Sequence, residues 1–174
     1  MTEKARVVMG IDPGIYGAFV VLGLNKGSRW FAMPKAEKAR VDLIWSLRDE
    51  YDIIFCLLEK VGVMPDEGVV SCFTFGRGDG ILVGSLYSAE IPFDEITPQD
   101  WHRLLGIPAR YTIPKRPKPG RFIPEKEETK SEFKARCRKV AEEMFPKADI
   151  VRDNADAYLI AKVALLIREN YVKR

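Results

Sequence analysis

Four acidic residues stand at points where predicted secondary-structure elements begin or end. Asp12 closes an apolar run over residues 7–12, and Glu59 closes a second one. Asp153 and Asp156 open the last predicted helix, and their spacing of three places them on one helix face. Carboxylates that converge repel each other unless cations lie between them, and oxygen ligands suit Mg²⁺ or Mn²⁺. Two such ions roughly 3.5–4 Å apart are the usual arrangement for in-line cleavage of a phosphodiester.

A structural interpretation of the helix pair stays open at this point. Asp153 can be the N-cap of the last helix, and Asp156 a first-turn acid that faces the positive end of the helix dipole. Asp12 is harder to explain in this way, because a carboxylate at the end of a buried strand is costly to desolvate unless a cation compensates it. The four acids together therefore indicate a metal site more strongly than the pair does alone.

Hydrophobic periodicity predicts an α/β chain whose strands bring acids to one edge of a sheet. Three antiparallel strands are predicted first, and a strand over 53–58, apolar on both faces, is predicted to be central and parallel to the first. Sites gather at the carboxyl ends of such strands. The predicted strands are 7–12, 18–24, 29–33, 53–58 and 91–96, and the predicted helices are 37–51, 81–90, 98–105, 125–145 and 154–171.

Two further segments have a composition that suggests contact with phosphate. The glycine-rich residues 71–80 are predicted to be irregular, with backbone N–H groups of 76–80 free to approach a phosphate. Residues at about 109–124 combine prolines with unopposed positive charge, which predicts an exposed, semi-rigid basic loop. A solvated surface is the competing interpretation of these charges. The candidate DNA-binding residues of this loop and the following helix are Arg110, Lys115, Arg116, Lys118, Arg121, Lys130 and Arg138.

The ordered motifs resemble those of a known enzyme family. The stretch 10–14 (Gly-Ile-Asp-Pro-Gly), the pair Leu58-Glu59 and the stretch 153–157 (Asp-Asn-Ala-Asp-Ala) are similar to the RuvC-type Holliday-junction resolvases. The middle segment, 75–105, is closer to the plant chloroplast and phage-encoded branches. The resemblance implies the ribonuclease H-like fold: a mixed five-stranded sheet with three antiparallel N-terminal strands and helices on both faces.

The resemblance also implies an activity and roles for residues. The four acids would bind two Mg²⁺ or Mn²⁺ ions. Lys134, with Lys130 as the near alternative, would stabilise charge on the scissile phosphate. The implied enzyme is a crossover junction endodeoxyribonuclease that cuts two opposed strands of a four-way DNA junction and leaves 5′-phosphate and 3′-hydroxyl ends. Paired cutting suits a homodimer. Met64 or Phe73 are candidates for opening the junction.

The helix predicted over 81–90 is the candidate dimer interface. Burial of its apolar side chains in the monomer core is the competing explanation. The side chains concerned are Leu82, Val83, Leu86 and Tyr87.

Composition limits the alternatives. The 174 residues are 47% hydrophobic with a net charge of +3, which fits one domain over 1–174. Three cysteines without CxxC spacing and one histidine, His102, argue against a zinc site. No signal region or membrane span is predicted, so we expect a cytoplasmic protein, bacterial or phage-encoded.

Three rival functions stay open from the sequence. An actin-like ATPase fragment shares the opening motif, but such enzymes need a second phosphate loop and about twice this length. A non-catalytic DNA-binding protein of the same fold would be expected to have lost one or more of the four acids, and all four are present. A ribonuclease H-like nuclease acting on flap DNA or an RNA–DNA hybrid is barely distinguishable by sequence.

Overall fold

A single mixed sheet organises the part of the chain described by the computed structural model, residues 3–24, 27–60, 62, 68–110, 112 and 126–172. The strand order is β3-β2-β1-β4-β5. The first three strands are antiparallel, whereas β1–β4 and β4–β5 are parallel pairs. The strands are β1 (Ala5–Ile11), β2 (Ala18–Gly23), β3 (Ser28–Ala32), β4 (Tyr51–Glu59) and β5 (Phe93–Ile96).

Five helices cover the two faces of this sheet. One apolar cluster joins the sheet to α1 and α2, and a second joins it to α3, α4 and α5. The predicted five-stranded α/β architecture with helices on both faces is therefore confirmed. The helices are α1 (Glu37–Glu50), α2 (Val69–Ser88), α3 (Pro98–Leu104), α4 (Lys130–Met144) and α5 (Ala155–Val172).

Strand β1 and helix α5 approach each other unusually closely. A Cβ placed on Gly10 of β1 would lie 2.3 Å from the backbone nitrogen of Ala161 and 2.6 Å from the carbonyl oxygen of Ala157. Only glycine fits at such a distance, and the small alanine side chains let the helix backbone rest on the strand. This contact sets the position of the first turn of α5 relative to the end of β1.

The helix α2 differs from the prediction. It starts at Val69, so the glycine-rich residues 71–80 are helical and not irregular. Gly78 explains part of this, because a Cβ there would lie 2.7 Å from Nη1 of Arg40, whose Nε donates to the carbonyl oxygen of Pro34. Packing against α1 thus outweighs the low helix propensity of glycine. The prediction that 76–80 open a helix and offer N–H groups to a phosphate is wrong, since those groups lie inside α2.

The remaining differences concern boundaries. Helix α4 starts at Lys130 instead of 125, because Thr129 and Glu132 form a capping box: Thr129 Oγ1 accepts from the backbone of Glu132, and the Glu132 carboxylate accepts from the backbone of Thr129. Thr97 caps α3, since the backbone nitrogen of Asp100 donates to its Oγ1 at 3.2 Å. None of the helices in the described ranges is apolar over a length that would cross a membrane.

Candidate active site

Asp12 follows the last residue of β1 and is held by the turn that leads into β2. Its backbone nitrogen donates to the carbonyl oxygen of Ala18 at 3.0 Å, and its Oδ1 accepts from the backbone nitrogen of Gly14 at 3.0 Å. Burial raises the pKa of Asp12, the Gly14 hydrogen bond opposes this, and the charge of Asp156 adds to the rise. The carboxylate is thus fixed in place at a cost in free energy.

Glu59 is the last residue of β4, beside Asp12 at the same edge of the sheet. Burial raises its pKa to about 7, and the charge of Asp12 contributes to the shift. One partner opposes the shift, because Nε1 of the buried Trp101 donates to Oε1 of Glu59 at 2.8 Å. Two half-buried carboxylates therefore lie at this edge, and Trp101 orients the second of them.

The turn before α5 presents Asp156 to these two acids. Asn154 is fully buried; its Oδ1 accepts from the backbone nitrogen of Val151 at 2.8 Å, and its Nδ2 donates to the carbonyl oxygen of Asp149 at 2.9 Å. Asp156 is buried in the first turn of α5. Helix α5 begins at Ala155, so the residue immediately before it is Asn154. The interpretation of Asp153 as the N-cap of this helix is therefore wrong.

Asp153 is the most peripheral of the four acids. Its side chain belongs to an exposed residue, and among the causes that shift the pKa of Asp12 its charge is the smallest. The charges of Asp12, Glu59 and Asp156, by contrast, act on one another directly. The structure therefore places three of the four predicted acids within electrostatic range of one another and the fourth at the rim of the group.

Lys134 of α4 reaches this group of acids. Its ammonium forms an ion pair with Asp156. Burial lowers the pKa of Lys134, but the charges of Asp156, Asp12 and Glu59 outweigh burial and raise it. Of the two lysines considered from the sequence, Lys134 is the one for which the structure records contact with an acid of the site, whereas Lys130 is an exposed residue at the start of α4.

The carboxylate oxygens of this group suit a divalent cation, which would offset their mutual repulsion. Asp156 is buried, and Asp12 and Glu59 are half-buried. Burial raises the pKa of both Asp12 and Glu59, and the charges of the neighbouring carboxylates add to the rise. Within the described ranges, no three acidic, histidine or cysteine side chains come together as a ready-made metal site. The nearest candidate set is Asp12, Glu59 and Asp156, and a cation entering it would compete with the Lys134 ammonium for Asp156.

The predicted DNA-binding residues lie in three different situations. Lys115, Arg116, Lys118 and Arg121 fall outside the described residues. Arg110 and Lys130 are exposed, and Arg138 donates to Glu142 at 2.8 Å on the outer surface of α4. A further arginine fixes the start of the basic loop: Nη1 of Arg136 donates to the carbonyl oxygen of Pro108 at 3.0 Å. The loop therefore leaves from a point beside α4, the helix that carries Lys134.

Sequence reasoning missed two residues that position the acids. Trp101 and Glu59 are 42 residues apart, and Trp101 has the spacing of an ordinary packing residue in a short helix. Asn154 lay inside the motif 153–157, but its type indicated only a turn or cap. The burial that explains its role is visible only in the structure.

Comparison with known proteins gives a fold and no close relative. No family model matches the chain, and no curated protein matches it in sequence. A structure of Thermus thermophilus RuvC is similar with a TM-score of 0.54 and 18% identity, covering 94% of this chain and 96% of that chain. T. thermophilus RuvC in complex with Holliday junction substrate gives a TM-score of 0.54 and 17% identity, covering 90% of each chain.

The yeast mitochondrial Holliday junction resolvase Ydc2 is a weaker match, with a TM-score of 0.45 and 14% identity over 99% of this chain and 85% of that chain. The two RuvC structures extend over nearly the whole of both chains, and the order and direction of the strands agree with the fold predicted from the motifs. The chain therefore has the ribonuclease H-like fold of the RuvC-type resolvases.

Proposed function

We propose that this protein is a metal-dependent endonuclease that resolves four-way DNA junctions by cutting two opposed strands, leaving 5′-phosphate and 3′-hydroxyl ends. The observation that carries the proposal is the electrostatic interaction of Asp12, Glu59 and Asp156 with one another and with Lys134, at the carboxyl edge of a sheet with the RuvC-type fold. The fold alone would allow many activities. The buried, mutually repelling carboxylates are what favour metal-dependent phosphodiester cleavage.

Each acid has a separate part in the proposed site. Asp12 and Glu59 would hold Mg²⁺ or Mn²⁺ from the strand ends, Asp156 from α5, and Asp153 from the rim. Two such ions, when bound, supply an activated water and neutralise the leaving 3′ oxygen. Trp101 keeps the Glu59 carboxylate in one orientation through its N–H donor.

Lys134 would change partner during the reaction. Its ammonium now neutralises part of the charge of Asp156. With metal ions held by the acids, the Lys134 ammonium would be able to donate to a nonbridging oxygen of the scissile phosphate, where negative charge develops in the transition state. The exposed stem of Lys134 leaves it room to do so, because its side chain is 52% accessible.

The basic loop and the start of α4 would bind the phosphate backbone next to this site. Phosphate contacts are sequence-independent and weaken with salt. Replacing Lys115, Arg116 and Lys118 by Ser should weaken binding to all branched DNA alike and reduce the slope of log Kd against log salt by about 3. Fluorescence anisotropy over a salt series measures this. An unchanged slope would reject the loop's role.

We also propose that the active form is a two-fold dimer, as symmetric cutting requires. Two of the side chains considered for the interface, Leu82 and Leu86, are buried in the core, so the predicted interface is wrong for them. On the opposite, exposed side of α2, Gly76, Gly80 and Gly84 have open space where a Cβ would be. A second helix can approach the backbone closely there, and Gly80→Glu should give a folded monomer in sedimentation analysis.

The test of the proposed function is a substrate comparison. Synthetic four-way, three-way and linear DNA and an RNA–DNA hybrid are incubated with the protein in Mg²⁺ or in EDTA. We expect symmetric nicks in the four-way junction only, with none in EDTA. Equal cutting of the linear duplex or of the hybrid would contradict the proposal and favour a different ribonuclease H-like nuclease.

A further inference from the structure

Two large apolar side chains stand in solvent beside the candidate active site. Ile15 and Tyr16, in the turn between β1 and β2, are 68% and 73% exposed. Single exposed apolar residues are ordinary, but adjacent ones on a turn that also holds a candidate metal ligand need a reason. Neither has a part in the metal site or in the binding of phosphate as described above.

Hydrogen bonds at both ends hold the turn that carries Ile15 and Tyr16 in a conformation that exposes the two side chains. The backbone nitrogen of Gly17 donates to the carbonyl oxygen of Gly14 at 2.8 Å, which places Ile15 and Tyr16 at the two central positions of a turn. Gly14 donates to Asp12, and the carbonyl oxygen of Gly17 accepts from the backbone nitrogen of Met33 at 2.9 Å. Both ends of the turn are thus tied to the sheet.

The turn also lies against the Asp12 carboxyl group. A Cβ placed on Gly17 would be 2.9 Å from Cγ of Asp12. The Cα of Tyr16 is one peptide unit, about 3.8 Å, from that of Gly17. A phosphodiester that reaches Asp12 therefore brings the base of an adjoining nucleotide within range of the Tyr16 ring.

We propose that Tyr16, with Ile15 beside it, stacks on a nucleobase adjoining the phosphodiester that is cut. This inference rests on the proposed function and deepens it, because it names the part of the DNA that the apolar turn contacts. The acids and Lys134 would interact with metal ions and phosphate, and they offer no surface on which a nucleobase could stack. An aromatic face supplies that contact for any base, since every base has a π-face, and it stabilises a base that has left its stack at a branch point.

The test compares cleavage and base stacking in matched variants. Tyr16→Ala should lower kcat/KM on the four-way junction by about 5- to 150-fold, the range for one stacked base. Tyr16→Phe keeps the ring and should stay within about threefold of the unmodified protein. Trp45→Ala removes an exposed aromatic side chain from α1, on the other face of the sheet from α5, and should leave cleavage unchanged.

A second readout reports stacking itself. Junctions carrying 2-aminopurine at each position near the branch point are bound by the Glu59→Gln variant, which leaves the DNA uncut. Fluorescence should change on binding at one position, and the change should disappear when Tyr16→Ala is added and persist with Tyr16→Phe. A fluorescence change that survives Tyr16→Ala, or cleavage by Tyr16→Ala at the unmodified rate, would overturn the inference.

The outcome is distinguishable from failure of the proposed function. If the unmodified protein cuts no branched DNA, the function itself is wrong. If the unmodified protein cuts four-way junctions and Tyr16→Ala cuts them equally well, only the stacking role is wrong. If Tyr16→Ala alters sedimentation and leaves the fluorescence change intact, the turn contacts a second copy of the chain instead of a base, which also overturns the inference.

Discussion

Charged side chains are arranged in opposite ways at the two ends of the parallel strands. At the amino ends of the parallel strands, acidic side chains lie beside basic ones. Arg6 forms an ion pair with Asp52 at 3.2 Å, and Arg29 forms one with Glu50; all four side chains are exposed. At the carboxyl ends, Asp12 and Glu59 are half-buried and repel each other. The first arrangement is the ordinary one for a soluble protein. The second is unfavourable unless a cation binds, and this is the difference from which the proposed function is argued.

The largest expected effect is a difference in cleavage activity between substitutions at the two ends of the parallel strands. Asp12→Asn should lower junction cleavage by more than about 100-fold, the upper end for residues that merely support a metal ligand, while junction binding changes little. Asp52→Asn, the same chemical change at the other edge, should leave cleavage unchanged. Single-turnover kinetics measure both. Cleavage by Asp12→Asn within a few-fold of the unmodified rate would remove Asp12 from the site.

A smaller effect is expected at the residue that orients Glu59. Trp101→Phe removes the N–H donor and keeps most of the buried volume, and should lower cleavage or Mg²⁺ affinity by about 10- to 100-fold. Trp45→Phe is the control, because that indole lies on α1 against Arg48. Titration of Mg²⁺ into the cleavage reaction separates a loss of affinity from a loss of rate. Equal activity of the two variants would show that the hydrogen bond to Glu59 has no role.

The acids of the carboxyl edge should also lower stability when no metal is bound. At pH 8 in EDTA, Glu59→Gln should stabilise the fold by up to about 3 kcal/mol, since it removes a charge whose pKa is raised to about 7. Because the folded-state pKa is higher than the unfolded one, the destabilisation grows as pH rises from about 4.5 through 7, and the gain should shrink in acid. Urea denaturation at several pH values measures it.

The smallest effect belongs to the amino edge. Asp52→Asn breaks an exposed ion pair and should change the free energy of unfolding by less than about 1 kcal/mol, with a reduced effect at high salt. Its sign should be opposite to that of Glu59→Gln. If both substitutions destabilise the metal-free protein, the contrast between the two edges is not electrostatic.

The sheet and the acids could be predicted from the sequence because both depend on local pattern. Apolar runs ending in Asp12 and Glu59 placed the strands, and the motifs placed the last helix. Helix α2 could not be predicted over its full length, since its glycine-rich half packs at Gly78 against Arg40 of α1. A prediction from one segment cannot include a neighbour 38 residues away.

The site residues show the same difference between features that depend on local pattern and features that depend on contacts with other elements. Lys134 was implied by the resemblance to the RuvC-type resolvases, and in the structure it forms an ion pair with Asp156. Trp101 was not found, because its role depends on a hydrogen bond to Glu59 from a different element. Ile15 and Tyr16 lie between the first two predicted strands, but sequence alone does not tell whether a turn residue is buried or exposed. The basic loop stays a prediction, since most of it lies outside the described residues.

The central claim is that cations make the buried acids tolerable, and metal binding in the absence of DNA tests it most directly. Mn²⁺ is titrated into the unmodified protein and into Asp12→Asn and Asp52→Asn, with free Mn²⁺ followed by electron paramagnetic resonance. The account predicts saturable binding to the unmodified protein and to Asp52→Asn, and loss of that binding in Asp12→Asn. Equal binding by all three proteins, or by none of them, would contradict it.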